Sequence, residues 1–185
     1  PEYGVVAARV LKGLQRQGYE TSVDVVSEEG DRFRRIVEPC LPYIDYLIVN
    51  EIEAGAVCGL QLRDPEGVLL HDRMEEAAET LVQRGVGRLC AIHCPEGGYA
   101  RTRDGESSWC SSVPVAAKQI ISSVGAGDAF CAGMLYAQHE GMPLHDALCF
   151  ANASAHFNLF SATSTGGAPT LGQLTEFIHS NYKDQ

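Results

Sequence analysis

The tetrad Gly125-Ala126-Gly127-Asp128 sets two glycines and a carboxylate directly ahead of an apolar run, Ala129-Phe130-Cys131-Ala132-Gly133-Met134-Leu135. The pattern predicts a turn that opens into a helix. Amides in the first turn of a helix have no internal acceptor and lie at the positive end of its dipole. Glycines remove the Cβ that would hold an anion away. The turn can therefore bind a phosphate, or the negative charge that develops in a transition state. On this reading a side chain at Gly127 would stand where the anion approaches. Asp128, beside that anion, can take the proton from a hydroxyl and make it a nucleophile. The same four residues also suit a purely structural turn, because the dipole alone favours acids at helix starts.

A second pair stands earlier. Asn50 and Glu53 are three residues apart, just after the apolar stretch Tyr46-Leu47-Ile48-Val49. That spacing is a capping arrangement: the Asn side chain caps a helix and the acid reaches back to it. Other motifs fail. No G-x-x-x-x-G-K-[ST] loop occurs, and Gly125-x-Gly127 lacks the third glycine of a dinucleotide fingerprint, which counts against a nicotinamide-dependent oxidoreductase. Cys90-x-x-x-Cys94 with His93 falls on a strand, where residues 90 and 94 share one face and 93 takes the other. It reads as core packing, with no second ligand pair recognised at metal spacing.

The elements that must position these residues alternate. Val5, Val6, Val10, Leu11 and Leu14 recur at helical spacing up to Gly18, and Thr21-Ser22-Val23-Asp24-Val25-Val26 reads as a strand. Residues 30–39 read as a helix stopped by Pro39. The strand from Tyr46 to Val49 precedes a helix beginning near Asn50. Asp72 is placed to cap a helix from Arg73 to about Arg84, ended by Gly85. Residues 88–94 form another apolar strand, and Asp104-Gly105 marks a hairpin. Helices follow from the Gly125 turn, from Pro143 as first helical residue to about Phe160, and from Leu171 to about Tyr182. The helix after Asp128 carries no polar face and is expected to be buried. Strands alternating with helices predict an α/β domain with a mostly parallel sheet covered on both faces.

The 185 residues suit one domain over residues 1–185. The formal net charge of -10 argues against nucleic-acid and anionic-membrane surfaces, which need clustered Lys and Arg. It leaves a nucleotide ligand open, because backbone amides can hold phosphates. No apolar run reaches the ~20 residues of a membrane span. Seven cysteines, mostly in apolar stretches, read as reduced thiols of a cytoplasmic protein. The chain opens at Pro1 and enters helical pattern at once, so a longer protein is expected.

Four stretches together resemble one family. Val124-Gly125-Ala126-Gly127-Asp128-Ala129-Phe130-Cys131-Ala132-Gly133-Met134-Leu135 is similar to the second signature of the PfkB, or ribokinase-like, carbohydrate kinases. Asn50-Glu51-Ile52-Glu53 resembles that family's Asn-x-x-Glu motif. Residues 147–155 and 166–174 resemble its C-terminal helix and final loop. The resemblance covers essentially the whole chain, as the C-terminal portion of such a kinase. It implies an αβα sandwich that moves the γ-phosphoryl group of ATP to a sugar or sugar-like hydroxyl. It implies Asp128 as general base, and Gly125, Ala126 and Gly127 as anion hole, with the two glycines also touching the nucleotide. Asn152 is implied near the adenine, and Asn50 and Glu53 near Mg²⁺ and the phosphates.

The chain also departs from that family. Ser122 stands where an acid commonly helps a potassium site, so K⁺ activation is not supported. Ile92 and Cys94 replace a Thr-x-Gly pattern that lines the triphosphate, and a basic residue before the final glycine loop is absent. These departures leave a second reading: a non-catalytic relative that kept the fold and binds a nucleotide or effector. The resemblance also implies that the lid and most sugar contacts belong to the family's N-terminal region. The 185 residues alone are therefore expected to be inactive, and either to self-associate as a homo-oligomer through the uncovered surface or to adapt locally to hide it.

Overall fold

A computed structural model describes residues 4–25 and 31–182. The described residues hold five strands: β1 Ser22–Val23, β2 Tyr46–Asn50, β3 Leu89–Cys94, β4 Gly97–Thr102 and β5 Ser107–Ser111. They also hold seven α-helices: α1 Val6–Gln15, α2 Asp31–Val37, α3 Glu51–Cys58, α4 His71–Gln83, α5 Ala126–His139, α6 Leu144–Asn158 and α7 Leu171–Asn181. The strands form one sheet in the order β1-β2-β3-β4-β5. β1 and β2 are parallel, with Ser22 opposite Tyr46 and Val23 opposite Leu47. β3, β4 and β5 are joined by tight turns, which can connect only antiparallel neighbours. The sheet is mixed and the fold is α/β, in keeping with the ribokinase-like expectation.

The described residues gather into two compact units. One comprises residues 4–25, 31–92 and 100–107, the other residues 93–99 and 108–182, so β3, β4 and β5 each contribute to both.

In the first unit the core is built on Leu41, Ile44, Leu47, Ile48, Met74, Leu81 and Leu89, all at most 1% exposed. β2 and β3 read as continuous apolar runs because strands covered on both faces cannot alternate. The hairpin at Asp104-Gly105 forms as the turn pair predicts. Gly105 has φ +95°, and the Thr102 amide donates to the Glu106 carbonyl at 2.8 Å.

Several local expectations are corrected. α4 starts at His71, two residues before the expected Arg73; its N-cap is Leu70, with no side-chain bond, and Asp72 lies inside the first turn. There the carboxylate still favours the dipole, so the residue type fits while the position differs. Pro143 is the N-cap of α6 rather than its first residue, with ψ 149°. Pro39 does not end the second helical stretch. The chain tightens there into a 3-10 segment, Glu38–Tyr43, because Pro39 sits in its first turn, where no amide donor is required. The strand expected over residues 21–26 is described only to residue 25, with Ser22 and Val23 paired; residue 26 lies outside the described residues. The apolar stripe of α1 is largely turned outward: Val6 is 69% and Val10 52% exposed, and Ala8 is the buried contact. Periodicity locates an apolar face without saying what covers it.

In the second unit α5 and α6 pack closely. A Cβ at Gly133 would come within 2.6 Å of Ser154 Oγ and 2.9 Å of Ala151 Cα, so only glycine permits this approach. α5 buries Phe130, Cys131, Gly133, Met134 and Ala137. Its other face is partly open, with Tyr136 stacked on Phe150 at 5.2 Å, so the helix is buried on one face only. Phe130 is seated over β4 at Gly98, where any Cβ would fall within 2.8 Å of the ring. No described helix is long and apolar enough to cross a membrane.

Candidate active site at the start of α5

Gly125 is the N-cap of α5, at φ +83° and ψ 0°. That left-handed conformation is open to glycine and costly for a residue with a Cβ. Glycine is required here for a second reason. A Cβ at this position would lie 2.6 Å from both the Cα and the carbonyl oxygen of Ser164, so the 161–168 loop rests directly on the turn. The approach to the turn is tied down too. Asn158, 1% exposed at the end of α6, donates from Nδ2 to the Val124 carbonyl at 2.9 Å. The Val124 amide donates to Ser122 Oγ at 3.1 Å. The Ile121 amide donates to the Leu159 carbonyl at 2.9 Å.

At the helix start the Ala126 amide donates to the Ser123 carbonyl at 3.1 Å, and the Ala129 amide to Gly125 at 2.9 Å. The amides of Gly127 and Asp128 lie in the first turn, where the helical ladder offers no acceptor. Asp128 itself is exposed. An exposed carboxylate thus stands beside two amides directed out of a helix N-terminus, on a backbone held by α6 and the final loop. This arrangement can bind an anion and accept a proton next to it.

Gly127 also packs against β3. A Cβ there would meet His93 Cε1 at 3.1 Å and Nε2 at 3.4 Å. The missing side chain makes room for the His93 ring. His93, at the end of β3, lies against Phe130 with ring centroids 5.0 Å apart. Burial pulls its pKa down to about 4, so the ring is neutral near pH 7 and adds no cationic charge to the turn. Sequence reading placed His93 on the strand face opposite Cys90 and Cys94, but did not see that this face meets the turn. It also missed Asn158, for which no local motif gives a signal.

Asn152 is buried at 4% exposure and donates from Nδ2 to the Cys110 carbonyl on β5 at 2.8 Å. It reaches neither solvent nor a loop; it ties α6 to β5 within the second unit.

In the first unit Asn50 and Glu53 come together as a complete capping box. The Glu53 amide donates to Asn50 Oδ1 at 2.8 Å, and the Asn50 amide donates to Glu53 Oε2 at 3.0 Å. Glu53 is 6% exposed. Neighbouring Glu51 accepts from Arg63 Nε at 2.9 Å. The cap foreseen from spacing is formed, and it engages one oxygen of each side chain.

A sequence profile of the pfkB family carbohydrate kinases matches residues 6–171. The 5-dehydro-2-deoxygluconokinase of Clostridium perfringens is 32% identical over 114 residues, which are 61% of this chain and 33% of that enzyme. An uncharacterized sugar kinase of Dictyostelium discoideum is 31% identical over 81 residues, 43% of this chain and 23% of its own. Among solved structures, the ribokinase of Arabidopsis thaliana, complexed with ribose and ATP, superposes with a TM-score of 0.75 at 22% identity. That match covers 94% of this chain and 52% of the ribokinase. Phosphofructokinase-2 of Escherichia coli, in complex with potassium, gives 0.74 at 18% identity, covering 94% and 51%. The chain therefore spans a third of that Clostridium relative and about half of each of these two structures.

Proposed function

The chain belongs to the pfkB family of carbohydrate kinases, and from that premise we propose that it carries the phosphoryl-transfer end of an ATP-dependent kinase acting on a sugar or sugar-like hydroxyl. The observation that carries this reading is the exposed carboxylate of Asp128 beside the first-turn amides of α5. In the proposed reaction Asp128 accepts the proton of the acceptor hydroxyl. The resulting oxygen forms a bond to the γ-phosphorus while the bond to the bridging oxygen of ADP breaks. The Gly127 and Asp128 amides stabilise the charge that builds on the transferring group, with Gly125 and Ala126 shaping the turn. His93, neutral, fixes the turn from behind. Asn152, which ties α6 to β5, is proposed to lie near the adenine.

Magnesium, when bound with the nucleotide, would neutralise phosphate charge. Asn50 and Glu53 are proposed to act toward it indirectly, with the charge of Glu53 as their contribution. Glu53→Gln keeps much of the cap's hydrogen bonding and removes the charge. The expected result is a higher Mg²⁺ requirement for turnover with a melting temperature shifted by no more than a few degrees. A lower melting temperature with unchanged Mg²⁺ dependence would assign the pair to capping alone.

Because the chain spans about half of the ribokinase it matches, sugar turnover is proposed to need the full-length protein, and the isolated 185 residues to turn over little. The seven cysteines, none of them in a disulfide, support a reducing, cytoplasmic setting. The test is a coupled assay of ADP release by the full-length protein over a panel of sugars and sugar acids with ATP and Mg²⁺. Sugar-dependent ADP release supports the proposal. ATP binding by calorimetry without release on any member would favour the non-catalytic relative, the reading that Ile92 and Cys94 encourage.

A further inference from the structure

Three soft or borderline metal ligands meet in the second unit, away from the α5 turn. Cys110 lies on β5, and His145 and Cys149 lie one helical turn apart on α6. Their ligand atoms all fall within 4.8 Å of one another. Cys149 Sγ is 2.8 Å from Cys110 Sγ and 3.5 Å from His145 Nε2. Both thiols are free, with Cys110 0% and Cys149 2% exposed; His145 is half-buried. We propose that Cys110, His145 and Cys149 form a binding site for a soft divalent metal ion, zinc by the chemistry of its donors.

The donor set is two sulfurs and one imidazole, the combination that suits zinc better than magnesium or calcium. A tetrahedral zinc with ordinary bond lengths places its ligand atoms roughly 3.5–3.8 Å apart. The Cys149–His145 edge already matches. The two sulfurs need to part by about 1 Å to admit the ion, a small rotation of two side chains.

The supporting contacts point the same way. Ser108 Oγ lies 3.1 Å from His145 Nδ1 and so fixes the ring with Nε2 facing the sulfurs. The backbone at Cys110 is held by the Asn152 hydrogen bond at 2.8 Å, so the ligand sits on a braced strand. His145 is the most accessible of the three ligands. A metal here would clamp β5 to α6, the helix that carries Asn158 and so steadies the approach to Gly125. The sequence reading recognised no second pair at metal spacing; His145-x-x-x-Cys149 is that pair, and it becomes visible once both residues share one helix face with a strand cysteine opposite.

The test uses full-length protein, stripped of metal and kept reduced with a phosphine, titrated with Co²⁺. The expected result is saturation at one Co²⁺ per chain. Thiolate-to-cobalt charge-transfer absorption should grow in the near ultraviolet with tetrahedral bands in the visible, and Zn²⁺ should abolish both. His145→Gln and Cys110→Ser should remove the visible bands, and Cys58→Ser should keep them. Ser108→Ala, which leaves all three ligands in place, should weaken Zn²⁺ affinity about 10- to 100-fold. Melting curves of the stripped proteins establish that each variant is folded. The proposal is overturned if no charge-transfer band appears, or if the bands survive in folded His145→Gln and Cys110→Ser. It is also overturned if the stripped protein, reoxidised in air with Zn²⁺ present, links Cys110 to Cys149 as fast as without Zn²⁺.

Discussion

Replacing Asp128 by Asn in the full-length protein is expected to lower kcat by about 10²–10⁴-fold while ATP still binds. The substitution keeps size and hydrogen-bonding atoms but leaves no group able to accept a proton from the sugar hydroxyl. The competing account is that Asp128 serves only the helix dipole. That role is worth about 0.3–1 kcal/mol at an exposed first-turn position, which for a chain of this size lowers the melting temperature by only a few degrees. The two accounts separate cleanly. Loss of turnover at saturating ATP, in a variant whose melting temperature moves little, supports the base. Near-normal turnover with a slightly lower melting temperature would remove Asp128 from the chemistry.

Gly125→Ala is expected to destabilise the protein by about 3 kcal/mol, from a left-handed φ and a clash that side-chain movement cannot relieve. The added carbon would meet backbone atoms of Ser164 at 2.6 Å, so either the 161–168 loop or the turn must shift. In melting temperature this amounts to roughly 6–12 °C for a chain of this size. Gly105→Ala isolates the backbone term. Gly105 also has positive φ, at +95°, but nothing lies within 4 Å of its added Cβ. It should lose only about 1 kcal/mol. Equal losses at the two positions would mean that the final loop does not rest on the turn. ATP affinity should fall with Gly125→Ala and stay unchanged with Gly105→Ala, because only the first displaces the amides proposed to hold phosphate.

Chain-local features were legible in the sequence because their causes are local. The Gly125 turn, the α5 start, the Asn50–Glu53 box, the Asp104-Gly105 hairpin and the apolar runs of β2 and β3 follow from φ preference, capping spacing and periodicity within a few residues. The position of Asp128 in a first turn belongs to the same class. Family membership was legible as well, since it rests on the order of such local motifs along the chain.

Everything that depends on which distant segments meet was decided by tertiary structure. Gly127 reads in the sequence as a turn glycine, and only the packed chain sets it against His93, thirty-four positions earlier. The need for glycine at 125 comes partly from its own φ and partly from Ser164. Asn152 reads as an isolated amide in an Ala-rich helix, yet its partner is a carbonyl on β5. The exposed stripe of α1 has helical period in the sequence, and only packing reveals that Ala8 rather than Val6 or Val10 is buried. Cys110, His145 and Cys149 carry no joint spacing signal, because a ligand contributed across 35 or more residues has no fixed offset. Sequence patterns report forces that act over one turn or one strand pair; close approach between distant segments is a property of the packed chain, and it decides which polar group faces which.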